Sequence, residues 1–225
     1  MGEKPIHAGH RQRMYEKIDR DGLDSLAPHE VLEFLLFFSL PRVNTNEIAH
    51  ELLDRFGTLR RIINADPRDL LAVKGVGMQT VRLLKSLPQL NRIAMDEEIT
   101  VKPIHSPHEL IGYLRLFFSG EKREICYVFI FDACRYLTYK GILFVGGRDE
   151  VPFYPRDLIE ITLKYDGAYV VISHNHLGKS CLPSTSDNVM TREMQEGLRT
   201  IGVVLLDHII ISPHGYYSYS SEGDL

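Results

Sequence analysis

The chain has 225 residues, 44% of them hydrophobic and 25% charged, with a formal net charge of −4. That length suits one large domain or two ordinary ones of a globular protein. No apolar run is long enough for a membrane-spanning helix, the opening residues do not read as a signal peptide, and Cys126, Cys134 and Cys181 form no C-x-x-C pair, so a cytoplasmic protein without disulfides or a membrane partner is expected.

The first ninety-odd residues read as short helices. Residues 28–38 are strongly apolar, with Pro28 at the head and Pro41 beyond the end. Residues 44–56 place Ile48, Leu52, Leu53 and Phe56 on one face and stop at Gly57. Two shorter helices follow over 58–65 and 67–73, the second entered through Asp66 and Pro67. A longer one spans 78–93, with Pro88 as a kink or break. Residues 1–95 form the expected helical domain. Residues 96–106 are charged and proline-punctuated, and read as the linker.

Beyond it, helices and strands alternate over 107–225. A helix is expected over 106–118, a hairpin of strands over 124–132 and 136–145, and a helix over 154–165 ended by Gly167. Residues 168–173 are a short, continuous apolar strand of the kind buried on both faces. A helix over 187–200, an apolar strand over 203–211 and a short strand over 216–219 complete the chain. The fold class is α/β with a mixed sheet, preceded by an all-α domain.

Ser173-His174-Asn175-His176 follows the buried strand directly. Side chains at i and i+2 of an extended segment share a side, so two imidazoles here can converge on one cation, although such a pair alone also occurs as surface or hydrogen-bonded histidines. Asp187, at the start of the next helix, is the best third donor of a zinc site that keeps a position for water. Ser184 and Asp187 also read as a capping box, a role compatible with ligation through the other carboxylate oxygen. Cys181, a soft donor, is an alternative ligand. His208, within an apolar strand, reads as a hydrogen-bonded core residue.

His174-Asn175-His176, then Ser184-x-x-Asp187 after seven residues, Tyr154-Pro155-Arg156-Asp157 and Leu206-Asp207-His208 together resemble the RadC family. The resemblance covers nearly the whole chain. It implies a C-terminal domain similar to the JAMM (MPN) metalloprotease fold, which is cytidine-deaminase-like, with His174, His176 and Asp187 as Zn2+ ligands. Ser184 would hydrogen-bond the attacking water or the developing oxyanion. The sequence departs from the family twice. Leu177 and Gly178 replace the proline and serine that usually follow the H-N-H triplet. Counting back from Tyr154, the general-base glutamate expected of such a hydrolase falls near Gly141 or Ile142, neither of which moves a proton. Asp149 or Glu150 are the candidate substitutes.

Residues 70–77 resemble a helix-hairpin-helix, in which Gly75 and Gly77 permit a tight turn. Lys74, Gly75, Val76, Gly77, Gln79 and Arg82, with Lys85, are its candidate contacts to a DNA backbone. Residues 1–95 carry 14 Lys and Arg against 12 Asp and Glu, and residues 96–225 carry 12 against 18, so the helical half is the one that approaches a polyanion more easily. Two functions follow from the resemblance: a zinc-dependent hydrolase of peptide-like amide bonds linked to DNA processing or repair, or a zinc-binding, catalytically weak DNA-associated accessory protein. A third reading makes zinc a fold staple.

Overall fold

Apolar residues spaced three and four apart fold the first ninety residues into helices, and unbroken apolar runs build a sheet in the rest. The computed structural model describes residues 9–146 and 154–225. They divide into two compact units, within Met1–Leu90 and Asn91–Leu225, and the class is mixed α/β as expected.

The first unit holds α1 (His10–Asp21), a 3-10 turn (Leu23–Ser25), α2 (Pro28–Ser39), α3 (Asn46–Phe56), α4 (Leu59–Asn64), α5 (Pro67–Leu71) and the start of α6 (Met78–Val101). Leu32 and Leu36 of α2, Ile48 and Leu52 of α3, Leu70 of α5 and Leu84 of α6 interlock as its core. Within the apolar run Glu33 is buried, and buried carboxylates need partners. It accepts from Thr45 Oγ1 at 3.4 Å and Asn46 Nδ2 at 3.1 Å, and pairs with His10 Nε2 at 3.1 Å, tying α1 and α3 to α2.

Helix α6 differs from its expectation. It passes Pro88 and ends only at Val101, so the first part of the expected linker is helical. Pro88 forfeits a single bond to the carbonyl four residues back. Beyond it Met95 and Ile99, one turn apart, pack on the core of the second unit, and that burial holds the added turns in place. Asp96 there accepts the Tyr113 hydroxyl at 2.6 Å.

The second unit continues with α7 (Glu109–Phe117), β1 (Ile125–Phe131), β2 (Leu137–Val145), α8 (Pro155–Lys164), β3 (Tyr169–Asn175), α9 (Thr185–Thr200), β4 (Val204–Ser212), β5 (Gly215–Ser218) and α10 (Tyr219–Glu222). The strands form one sheet in the order β2-β1-β3-β4-β5. Only β3 and β4 run parallel, because α9 carries the chain from the end of one back to the start of the other. Phe129, Val171 and Ile209 on one face meet Leu110 and Leu114 of α7. Val128 and Ile172 on the other meet Leu158 of α8 and Met194 and Leu198 of α9. With helices on both faces, the central strands β1 and β3 are apolar almost throughout.

Candidate metal centre

Strand β3 extends two residues past its expected end, and this extension sets the site. His174 pairs with Ile210 of β4 and Cys126 of β1. His176 N–H still bonds the Ile211 carbonyl at 2.8 Å. Both histidines therefore leave a backbone that the sheet holds, and their side chains share the face on which α9 begins.

Ser184 opens α9 as its N-cap, with its hydroxyl accepting from Asp187 N–H at 3.2 Å. In return Asp187 Oδ2 accepts from Ser184 N at 2.7 Å and from Ser184 Oγ at 2.6 Å. Oδ1 remains, 3.3 Å from His174 Nε2. His174 Nε2 lies 3.0 Å from His176 Nε2, and His176 Nε2 lies 3.5 Å from Asp187 Oδ2. The three side chains form a potential cation-binding group. Donor atoms about 2.0–2.1 Å from a tetrahedral zinc stand about 3.3–3.4 Å apart, so both the spacing and the N,N,O chemistry fit such an ion. Each imidazole is held from behind as well: His174 Nδ1 meets His208 Nε2 at 2.8 Å, and His176 Nδ1 meets the Ser180 carbonyl at 3.3 Å.

Electrostatics prepares the donors. Burial, joined by the neighbouring His176 and opposed by Asp187, pushes the His174 pKa down to about 4. The ring is therefore neutral at pH 7, as ligation requires. Burial works to raise the Asp187 carboxyl, but hydrogen bonds from Ser184, with charge attraction to the two histidines, outweigh it and hold it below the usual range.

The donors sit in a cleft of about 1240 Å³. Phe144 and Val145 of β2 and Val189 and Met190 of α9 supply its apolar wall, and Lys179 and Glu193 add charge. Glu124 lines it as well. Its Oε1 accepts from Leu177 N at 3.4 Å, and its neighbours are pinned by Asn175, whose Oδ1 accepts from Ile125 N at 2.8 Å and whose Nδ2 donates to the Arg123 carbonyl at 2.9 Å. The middle residue of H-N-H thus fixes the backbone on both sides of Glu124.

Sequence reasoning missed Glu124, because it counted along β2 for an acidic residue and the carboxylate precedes β1. The two positions it marked do not serve. Ile142 pairs with Tyr127, whose side chain packs on the α7 side, the sheet face opposite His174. Gly141 shares the His174 face, but the Tyr139 hydroxyl fills the space beside it. Asp149 and Glu150 lie outside the described residues. Cys181 is not in the donor group; its thiol lies against Gly215. The Ser184 hydroxyl gives its hydrogen to Asp187, so here it supports the carboxylate rather than pointing a free donor at a substrate.

In the helical unit, Lys74, Gly77, Gln79 and Arg82 are exposed around the turn between α5 and α6. Gly75 takes φ +86°, and an added Cβ would come within 2.8 Å of Ile48 Cδ1, so both conformation and space require glycine. Val76 faces inward: its side chain is in the core and its N–H bonds the Val73 carbonyl at 3.1 Å. Lys85 is committed elsewhere, donating to the Ile63 and Ala65 carbonyls at the end of α4 at 3.0 and 3.1 Å.

Residues 104–224 match the RadC-like JAB domain family. Along nearly the full length, a UPF0758 protein of Fusobacterium nucleatum subsp. nucleatum is 32% identical over 231 residues, covering 99% of both chains. UPF0758 proteins of Cupriavidus pinatubonensis and Pseudoalteromonas translucida are 30% identical over 215 residues, covering 95% of this chain and 94% of the relative, and 31% over 213, covering 94% and 95%. A sheet that gathers two imidazoles and a carboxylate at one strand end, in a chain so matched from end to end, leads to one assignment: the protein belongs to the RadC family.

Proposed function

We propose that the protein is a zinc-dependent hydrolase of peptide-like amide bonds, and that its helical unit contacts DNA in a processing or repair role. The observation that carries the first part is the meeting, in one cleft, of an N,N,O donor set and a separate carboxylate, Glu124. His174 Nε2, His176 Nε2 and Asp187 Oδ1 would hold the zinc, which when bound would supply Lewis-acid chemistry and lower the pKa of water at the site. Glu124 takes the proton from the attacking water and returns it to the departing amine nitrogen. Ser184 keeps Asp187 in place, and the walls formed by Phe144, Val145, Val189 and Met190 seat the substrate and exclude bulk water. The weak-catalyst alternative rests on the lack of a glutamate at 141–142, and Glu124 in the same cleft is what supports the active reading over it.

Fluorogenic peptide and isopeptide amides incubated with the zinc-loaded protein provide the test. Glu124→Gln is expected to bind zinc as wild type does and to hydrolyse about 10²–10⁴-fold more slowly. Equal rates would remove Glu124 from the mechanism, and no hydrolysis of any amide by wild type would contradict the hydrolase reading. For DNA, exposed Lys74, Gln79 and Arg82 beside the glycine turn support contact with phosphates. Such binding is independent of sequence and weakens steeply with salt.

A further inference from the structure

We infer that His208 is a positioning residue of the metal centre, acting through a chain of hydrogen bonds that dictates which nitrogen of His174 faces the ion. The inference rests on the metal-centre reading above. His208 is fully buried in β4, and a buried imidazole is costly unless both nitrogens are bonded. Both are: Nε2 meets His174 Nδ1 at 2.8 Å, and Nδ1 meets Thr191 Oγ1 at 2.6 Å. Thr191 lies one turn into α9 from Asp187 and donates to the Asp187 main-chain carbonyl at 2.6 Å.

The direction of this chain of bonds follows from its one fixed member. A carbonyl only accepts, so the single Thr191 hydrogen points to Asp187. Thr191 Oγ1 must then receive the His208 Nδ1–H. Neutral His208 is left with a bare Nε2, which takes the His174 Nδ1–H. The lone pair of His174 is thereby placed on Nε2, the atom beside His176 Nε2 and Asp187 Oδ1. Reversing the chain of bonds would put a hydrogen on His174 Nε2, where the ion is to bind. Ligands at both ends of the chain, His174 and Asp187, are thus oriented by two residues that do not themselves ligate. A packing role alone would rest on the stack of His208 on Tyr219, with ring centroids 5.0 Å apart and planes within 3°.

Zinc affinity, read by competition with a chromophoric chelator for wild type, His208→Phe, His208→Gln and Thr191→Val, separates the two roles. Long-range 1H–15N spectra of the metal-free wild type report the tautomers. Phenylalanine keeps the stack and loses the acceptor, whereas glutamine places an oxygen where Nε2 was. Expected are a loss of roughly 10–100-fold for His208→Phe, recovery of most of that loss in His208→Gln, a smaller loss for Thr191→Val, and a hydrogen on His174 Nδ1. Wild-type affinity in folded His208→Phe would overturn the positioning role and leave the metal centre standing. Should that variant not fold, unchanged affinity in Thr191→Val, or a hydrogen on His174 Nε2, would overturn it equally. A wild type that binds no zinc would overturn the metal-centre reading itself.

Discussion

Asn175 stands between two metal-facing histidines, yet its side chain bonds the backbone flanking Glu124. Asn175→Leu removes both bonds while keeping the volume. It is expected to leave zinc affinity within a few-fold of wild type and to lower hydrolysis by about 10²-fold, the scale of a small misplacement of a reacting group; parallel zinc titration and amide turnover check it. The same geometry predicts that Ile142→Glu will not raise the hydrolytic rate, because that side chain emerges on the other sheet face. His174 gives a pH dependence whose sign is fixed by its depressed pKa. In metal-free protein the unfolded chain takes up this proton near pH 6.5 and the folded one only near 4. Between those values the unfolded state binds more protons, so stability falls as pH falls, by up to about 3 kcal/mol from this residue, and is unaffected by it above pH 6.5. Fully buried His208, whose pKa burial pushes well below 6.5, acts in the same direction. Urea titrations of chelator-treated wild type and His174→Gln from pH 7 to 4.5 check this, with a flatter profile expected for the variant.

Elements defined by local pattern were legible. The apolar runs of β3 and β4 and the Ser184–Asp187 start of α9 read directly, because burial on both faces and a capping box each leave a short-range signature. Helix α6 did not, since what carries it past Pro88 is the packing of Met95 and Ile99 on residues distant in sequence. Glu124 was hidden for a similar reason: it precedes its strand and reaches the cleft through pairing with β3, some fifty residues on. The hydrogen-bond chain through His208 spans β3, α9 and β4 through side-chain bonds that no periodicity encodes. In the helical unit the glycine turn was readable, and it carries its own prediction. Gly75→Ala combines a left-handed backbone with a clash on Ile48; it is expected to destabilise the protein by at least about 1–2 kcal/mol, measured by denaturant midpoint.

For the whole molecule, the comparisons give the RadC family and the fold gives two units, the second of which carries, among the described residues, a donor cluster at the end of its sheet. Binding of an ion to the folded state alone stabilises it by mass action, about 2.7 kcal/mol at a free concentration 100 times the Kd. Zinc is therefore expected to raise the unfolding temperature, chelation to lower it again, and Asp187→Ala to show neither response. The central claim is that His174, His176 and Asp187 hold one ion. Elemental analysis of purified protein, equilibrated with zinc and freed of excess, tests it most directly. The account predicts one zinc per wild-type chain and almost none in His174→Ala or Asp187→Ala. A metal-free wild type, or full zinc content in either variant, would contradict it.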